Sequence, residues 1–327
     1  MRVLSSVSAL VVVVLACSPP NVSQSDPNAA CADFAYARCT HLANDCSITY
    51  AHFRYGNADP VGVCRDVITA TCVASIVAPG SGSTPTAIES CAQVTPKWAC
   101  SDFINYINPP PECAPARGAL ATGAACARDS QCQSGYCQFA LGAACGTCAP
   151  TPQAGAPCAD SSNCGTELNL ACETSTNVCV PIVTEGAQCS STTGTCNSGA
   201  GLVCSAGTCD VAVSTPSAPC VPNGAGCAFV DGLVCNSALK ICQNVQIASA
   251  GQPCGTVNDQ TTSCEGDALC LGEEGSSTPG TCAAFAPAGA PCDLMAGPTC
   301  ISGLRCVVST DGGTSGTCQI PAGAACQ

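Results

Sequence analysis

The chain has 327 residues, 35 of them cysteine, and a formal net charge of −13 with only nine Lys and Arg. Cysteine at about a tenth of the residues marks a disulfide scaffold, and such density persists only in an oxidising compartment: periplasm, cell surface or exterior. So few basic residues exclude a nucleic-acid partner, whose phosphates must be neutralised by Lys and Arg. With only two histidines and cysteines mostly 5 to 12 residues apart, the pattern also argues against a cytosolic thiolate metal protein.

Residues 1–16, MRVLSSVSALVVVVLA, read as a signal peptide: one Arg, a short apolar run, then a small residue. The run is too short to span a membrane, and no other stretch is expected to do so. It ends in Val14-Leu15-Ala16-Cys17. That tetrad resembles the bacterial lipobox, and the resemblance implies diacylglycerol on the Cys17 thiol and cleavage before it. Parity agrees, because removing Cys17 leaves 34 cysteines, an even set. The alternative is ordinary cleavage near Ala16 and free secretion. Residues 17–30 are Pro-rich and polar and read as a flexible tether. Ser18 in place of Asp is, in similar lipoproteins, compatible with the outer membrane. The expected location is the cell envelope, as an outer-membrane lipoprotein facing periplasm or exterior.

Residues 31–117 are expected to form a helical domain with eight cysteines: Cys31, Cys39, Cys46, Cys64, Cys72, Cys91, Cys100 and Cys113. Cys31, Cys39 and Cys46 share a helical face at 3.6 residues per turn. Asp59-Pro60 and Thr84-Pro85 read as N-cap and first-turn proline, with the loop 79–83 between two helices. Three or four helices held by four disulfides follow. His41 and His52 lie near Asp45, Asp59 and Asp66 and are read as surface histidines. The competing reading is an enzyme or protease inhibitor in this domain, built around His41, His52 and Trp98 or displaying the loop 79–85.

Residues 118–327 form about six repeats, the kind of periodicity that defines a modular array. Each opens on a small cluster before a cysteine, as in GAAC, GAPC or SAPC, and three carry Gly-Leu-x-Cys, at 201–204, 232–235 and 303–306. The sets are Cys126, Cys132, Cys137, Cys145 and Cys148; Cys158, Cys164, Cys172 and Cys179; Cys189, Cys196, Cys204 and Cys209; Cys220, Cys227, Cys235 and Cys242; Cys254, Cys264, Cys270 and Cys282; Cys292, Cys300, Cys306 and Cys318, with Cys326 beyond them. Connectivity is not fixed by sequence. Counted from the opening cysteine, the first unit holds one too many and Cys326 is left over, so the two could pair only across the whole array. A shifted frame grouping Cys148 with Cys158, and so on to Cys318 with Cys326, covers all 26 locally and is the preferred expectation. Each unit is too poor in large apolar residues to fold on a core alone, and the Leu or Tyr before the third cysteine is its expected anchor. The fold class is therefore small and disulfide-rich: a helical disulfide-linked domain, then an elongated tandem array of short irregular or β-hairpin modules.

The Cys126, Cys132, Gly135-Tyr136-Cys137 arrangement resembles the Dickkopf N-terminal cysteine-rich region. The layout of lipobox, helical cysteine domain and GAxC…GLxC modules resembles myxobacterial-type cysteine-rich lipoproteins. The first resemblance implies recognition of a cell-surface partner, and neither implies a catalytic activity. Chemistry is sparse elsewhere. Cys145-Gly146-Thr147-Cys148 is the only CxxC and has no strand-to-helix context for a redox site. Asp129, Asp160 and Asp259 are isolated, as Asx-turns are, and lack the clustered oxygens calcium needs. Glu273-Glu274 reads as solvated. No catalytic residue, metal or cofactor is expected; the expected partners are the membrane, through Cys17, and an unidentified protein or glycan. A purely structural envelope role is the remaining alternative.

Overall fold

The computed structural model describes residues 26–326 apart from 159–163, 166–167, 174, 222–225, 237, 258–259, 273–277 and 310–312. The leader, Cys17, residues 18–25, Asp160, Asp259 and Glu273-Glu274 lie outside the described residues.

The N-terminal part is a helical hub: α1 (Pro27–Thr40), α2 (Ile48–Tyr55), α3 (Pro60–Val77), α4 (Pro85–Val94) and the short α5 (Cys100–Phe103), with a π-helical turn His41–Cys46 joining α1 to α2. Three of these helices start the same way. Asp26, Asp59 and Thr84 each accept a hydrogen bond from a first-turn N–H, and proline follows each of them, where its missing N–H costs nothing. The first helix thus begins at Pro27, inside the stretch assigned to the tether. Disulfides Cys31–Cys72 and Cys39–Cys64 clamp α1 against α3. The order of the pairs makes the two helices antiparallel, and the eight-residue spacing on each places the clamps about 12 Å apart. Cys46–Cys100 and Cys91–Cys113 complete the hub. By length and composition α3 is apolar enough to cross a membrane, contrary to the expectation that no stretch after the leader would be; its two clamps to α1 make it a bundle helix.

Each of the six modules is one hairpin with two disulfides in a first-to-third, second-to-fourth pattern, for example Cys189–Cys204 with Cys196–Cys209 and Cys220–Cys235 with Cys227–Cys242. The third and fourth cysteines sit opposite each other on the hairpin, as Cys204 does on Cys209 and Cys235 on Cys242. The opening GAxC wraps over it. Its glycine N–H donates to the fourth cysteine's carbonyl, and the next carbonyl accepts that cysteine's N–H, as in Gly186–Cys209 and Cys209–Ala187. The wrap holds this glycine at φ of 77° to 88° in five modules. A Cβ there would meet nothing within 4 Å among the described residues, so backbone conformation rather than space selects glycine. In the fourth module Ser217 takes the place at φ 64°.

The anchor expectation holds in four modules, where Tyr136, Leu170, Leu202 and Leu233 are buried. It fails in the fifth, where Leu269 is exposed and Ala268 packs against the module's cysteines instead; in the sixth Leu304 is half-buried.

The array is not elongated. The segment following one module's last cysteine pairs in parallel with the strand at the second cysteine of the next, as Ile182-Val183 does with Thr195-Cys196 and Phe285-Ala286 with Thr299-Cys300. These stitches fix one module's orientation on another. The modules circle the hub, and the last returns to the first. Val308 N–H donates to the Gly142 carbonyl at 3.0 Å, the Arg305 guanidinium lies 3.7 Å from the Phe139 ring centre, and Cys145 is bonded to Cys326 across 181 residues. The shifted frame is therefore wrong: Cys148 pairs with Cys132, not Cys158. The two cysteines left over by counting find each other because the ring closes. Seventeen disulfides use all 34 cysteines from Cys31 to Cys326.

Candidate functional site

Every module touches the hub through a specific contact. Gln131 Nε2 donates to the Pro79 carbonyl at 2.8 Å in the first, Asn169 to Asn108 at 3.2 Å in the second, and Asn197 accepts from Asn105 at 2.7 Å in the third. Ser47 donates to the Val230 carbonyl at 2.6 Å in the fourth, Arg54 to Asp267 at 3.2 Å in the fifth, and Arg54 to Ser302 at 3.1 Å in the sixth. The contacts leave space between hub and ring.

The larger space, about 500 Å³, is walled by α1, α2, α3 and residues 103–106 on the hub side and by the second, third and sixth modules on the other. That lies within the range of small-molecule sites, about 300–1,000 Å³. Leu42, Ile68, Ile104 and Ile182 give it an apolar floor, and Tyr50, Tyr55, Asn105, Thr195 and Ser302 bring polar groups. Two guanidinium groups, Arg38 and Arg54, line it. Arg54 is satisfied by Asp267, Ser302 and the Tyr50 hydroxyl. Burial works against its charge, but Tyr50 and Asp267 outweigh that and raise its proton affinity. Burial also holds the Asp267 carboxyl above the ordinary carboxylate range despite Arg54. Arg38 differs. It lies 5.0 to 5.5 Å from the ring centres of Phe34, Phe103 and Tyr106, and among the described residues it has no ion pair or hydrogen-bond acceptor. Burial raises the Tyr55 phenol above its usual range, against the opposing pull of Arg38 and Arg54.

A second space of about 360 Å³ shares Arg38, Ile68 and Tyr106 with the first and is closed by Arg128, Asp129 and Ser130 of the first module. Among the described residues Arg128 Nε and Nη2 are buried without acceptors; burial, then the neighbouring Arg305 charge, lower its proton affinity. Asp129 is exposed and accepts the Cys137 N–H at 2.7 Å, eight residues on, a bond across the module and not the Asx-turn expected of it.

The residues of the catalytic alternative do not converge on either space. His41 is buried rather than on the surface: its Nδ1 lies 2.9 Å from Asp45 Oδ2, its Nε2 2.8 Å from the Trp98 carbonyl, and its ring stands edge-on to Phe103. Both partners are acceptors, so both contacts become hydrogen bonds only when both ring nitrogens carry protons. This is a core histidine fixed by packing. His52 sits apart, 3.3 Å from the Gly56 carbonyl at the end of α2. The loop 79–83 is covered by the first module, with Gly82 donating to the Ser130 carbonyl and Gly80 accepting from Ala119, so it is not a free inhibitory loop. The tight sulfur groups in the first four modules, such as Cys126, Cys132 and Cys137, have their ligand atoms committed to disulfides. His41 also approaches Cys46, itself bonded to Cys100. Cys145, half of the CxxC, is bonded to Cys326 rather than Cys148.

No family model, curated protein or solved structure matches the chain. What the molecule is by class follows from its bonds: a disulfide-rich protein of an oxidising extracellular or envelope environment, with a helical hub inside a ring of cysteine modules.

Proposed function

We propose that the protein is a non-enzymatic, lipid-anchored envelope protein that holds a rigid recognition ring on a short tether. The observation that carries this reading is the completeness of pairing. With Cys31 to Cys326 consumed, Cys17 is the one cysteine of 35 without a place in the scaffold. It follows an apolar leader in a lipobox-like tetrad, where an acyl-bearing thiol is wanted. Several acyl chains anchor stably, unlike one. The likeness to myxobacterial cysteine-rich lipoproteins supports the outer membrane as the site. Recognition is supported by the scaffold: a covalently closed ring presents six module faces without the ordering cost a flexible string would incur on binding. Its partner class is a protein or glycan surface.

The test is the intact mass of protein purified from membranes, with alkylation before and after reduction. The expected result is a chain beginning at Cys17, bearing acyl mass and taking up 34 alkyl groups only after reduction. Unmodified Cys17, or release of the protein into the medium, overturns the anchor. Thiols alkylated without reduction overturn the scaffold and return the sulfur clusters to metal chemistry.

A further inference from the structure

We propose that the larger space between hub and ring is a binding site for a small hydroxyl-bearing carboxylate, a uronic or hydroxy acid, with Arg38 as the group that receives the carboxylate. The inference rests on the recognition half of the proposed function and not on the anchor.

Charge is the first argument. The chain carries −13 overall, yet the groups facing this space are Arg38 and Arg54, with Asp267 held by Arg54. One positive charge is left over, and it belongs to Arg38. An isolated guanidinium in a partly desolvated site is costly unless an anion meets it, and its planar fork matches a carboxylate's two oxygens. Glu112 and Asp129, on the far side in the second space, form no ion pair with it among the described residues.

Preorganisation is the second. Phe34, Phe103 and Tyr106 hold the Arg38 head by their faces, a contact that orients a cation while leaving its N–H groups free. Arg54, by contrast, is held by Asp267, Ser302 and the Tyr50 hydroxyl and acts as a strut from hub to ring. The third argument is the remaining polarity. Tyr50 accepts from Arg54 and Ser302 does likewise, so each keeps its own O–H to donate. Tyr55 and Thr195 have no side-chain partner among the described residues. These hydroxyls around an apolar floor suit a ligand that is polar at its edges and carbon-rich on its faces. A bare inorganic anion would leave most of the space unused.

A built-in reporter exists. Trp98, the only tryptophan, packs 5.5 Å from Phe103 and 5.2 Å from Tyr106, two of the three rings that hold Arg38. Tryptophan fluorescence of the full chain is titrated with D-glucuronate, L-lactate and D-glucose. A saturable change with glucuronate or lactate and none with glucose is expected, the better of the two acids telling sugar acid from hydroxy acid. Arg38→Met is expected to weaken it by about tenfold or more, the loss of one charge-assisted contact. Because that variant also changes the aromatic nest, Tyr55→Phe serves as the second. It is expected to weaken binding by a few-fold at unchanged melting temperature. Neither acid binding, glucose binding as well as the acids, or undiminished binding by both variants overturns the proposal. Failed binding with lipidated Cys17 removes the ligand and keeps the anchored ring; binding without acyl mass does the reverse.

Discussion

Ser217 shows how much one residue's backbone matters in a scaffold with little core. It stands where five other modules place glycine, and its φ of 64° costs an L-residue about 1–2 kcal/mol. Part of that is returned by the higher unfolded-chain entropy of glycine. Ser217→Gly is therefore expected to stabilise by about 0.5–1 kcal/mol, read as a rise in thermal midpoint with all disulfides intact. Gly186→Ala, the reverse change in the preceding module, is expected to destabilise. The Arg54–Asp267 pair makes an asymmetric prediction. The Asp267 carboxyl is raised in the fold by burial, so a proton is favoured on it there relative to the unfolded chain. A raised carboxyl contributes its stability below its unfolded value and loses it as pH rises through the folded one. Asp267→Asn should accordingly equal the parent in acid and become relatively more stable towards neutral pH. Arg54→Met removes the strut and leaves a partly buried carboxylate unpaired, which should cost about 1–3 kcal/mol at neutral pH. Chemical denaturation of both variants across the acid-to-neutral range decides it; a D267N loss that grows with pH overturns the sign.

At the scale of elements, what was readable followed from local rules. Asp59-Pro60 and Thr84-Pro85 announced two helices because a cap and a proline act within one turn, and Asp26-Pro27 carried the same signal for α1, unread within a stretch taken as tether. The short hairpins were readable from the Gly, Pro, Ser and Asn that dominate each unit and favour turns, and the GAxC glycine turns out to be a positive-φ position. The docking of modules on the hub was not readable. It depends on scattered polar contacts, such as Gln131 to Pro79 or Asn197 to Asn105, between residues far apart in sequence and without motif. His41 was misplaced for a similar reason: only the π-helical turn and the Trp98 carbonyl make that position interior. Gln131 tests the docking. It is fully buried, its Oε1 accepts the Ala127 and Arg128 N–H groups, and its Nε2 reaches the hub. Gln131→Ala removes the acceptor of the Ala127 and Arg128 N–H groups and one hub contact, at about 1–3 kcal/mol for each buried group left unsatisfied. Hydrogen exchange should rise both at residues 126–132 and at 79–83, across the interface. A rise confined to the module would mean that the two do not support each other.

For the whole molecule the decisive bond is Cys145–Cys326, the one disulfide that lies neither within the hub nor within a single module. In an otherwise open chain, closing a loop of that length would be worth about 5 kcal/mol in unfolded-state entropy. Here the module disulfides already shorten the path, and the stitches and hub contacts hold the modules in place, so the clasp adds less. Its work is local: it fixes the last module against the first, beside the Val308–Gly142 and Arg305–Phe139 contacts. The sixth module also supplies Ser302 and Gly303 to the wall of the larger space. Cys145→Ser with Cys326→Ser should therefore leave 16 disulfides and a folded hub while loosening one arc of the ring. Hydrogen exchange is expected to accelerate over residues 285–326 and to stay unchanged over α1 and α3. The Trp98 response to a bound acid should weaken in step, because Ser302 then loses its fixed place opposite Arg54. Uniform acceleration through the hub would instead make the ring a structural requirement of the helices. No acceleration anywhere would mean that the stitches alone close the ring, and that counting cysteines had found a bond the fold does not need.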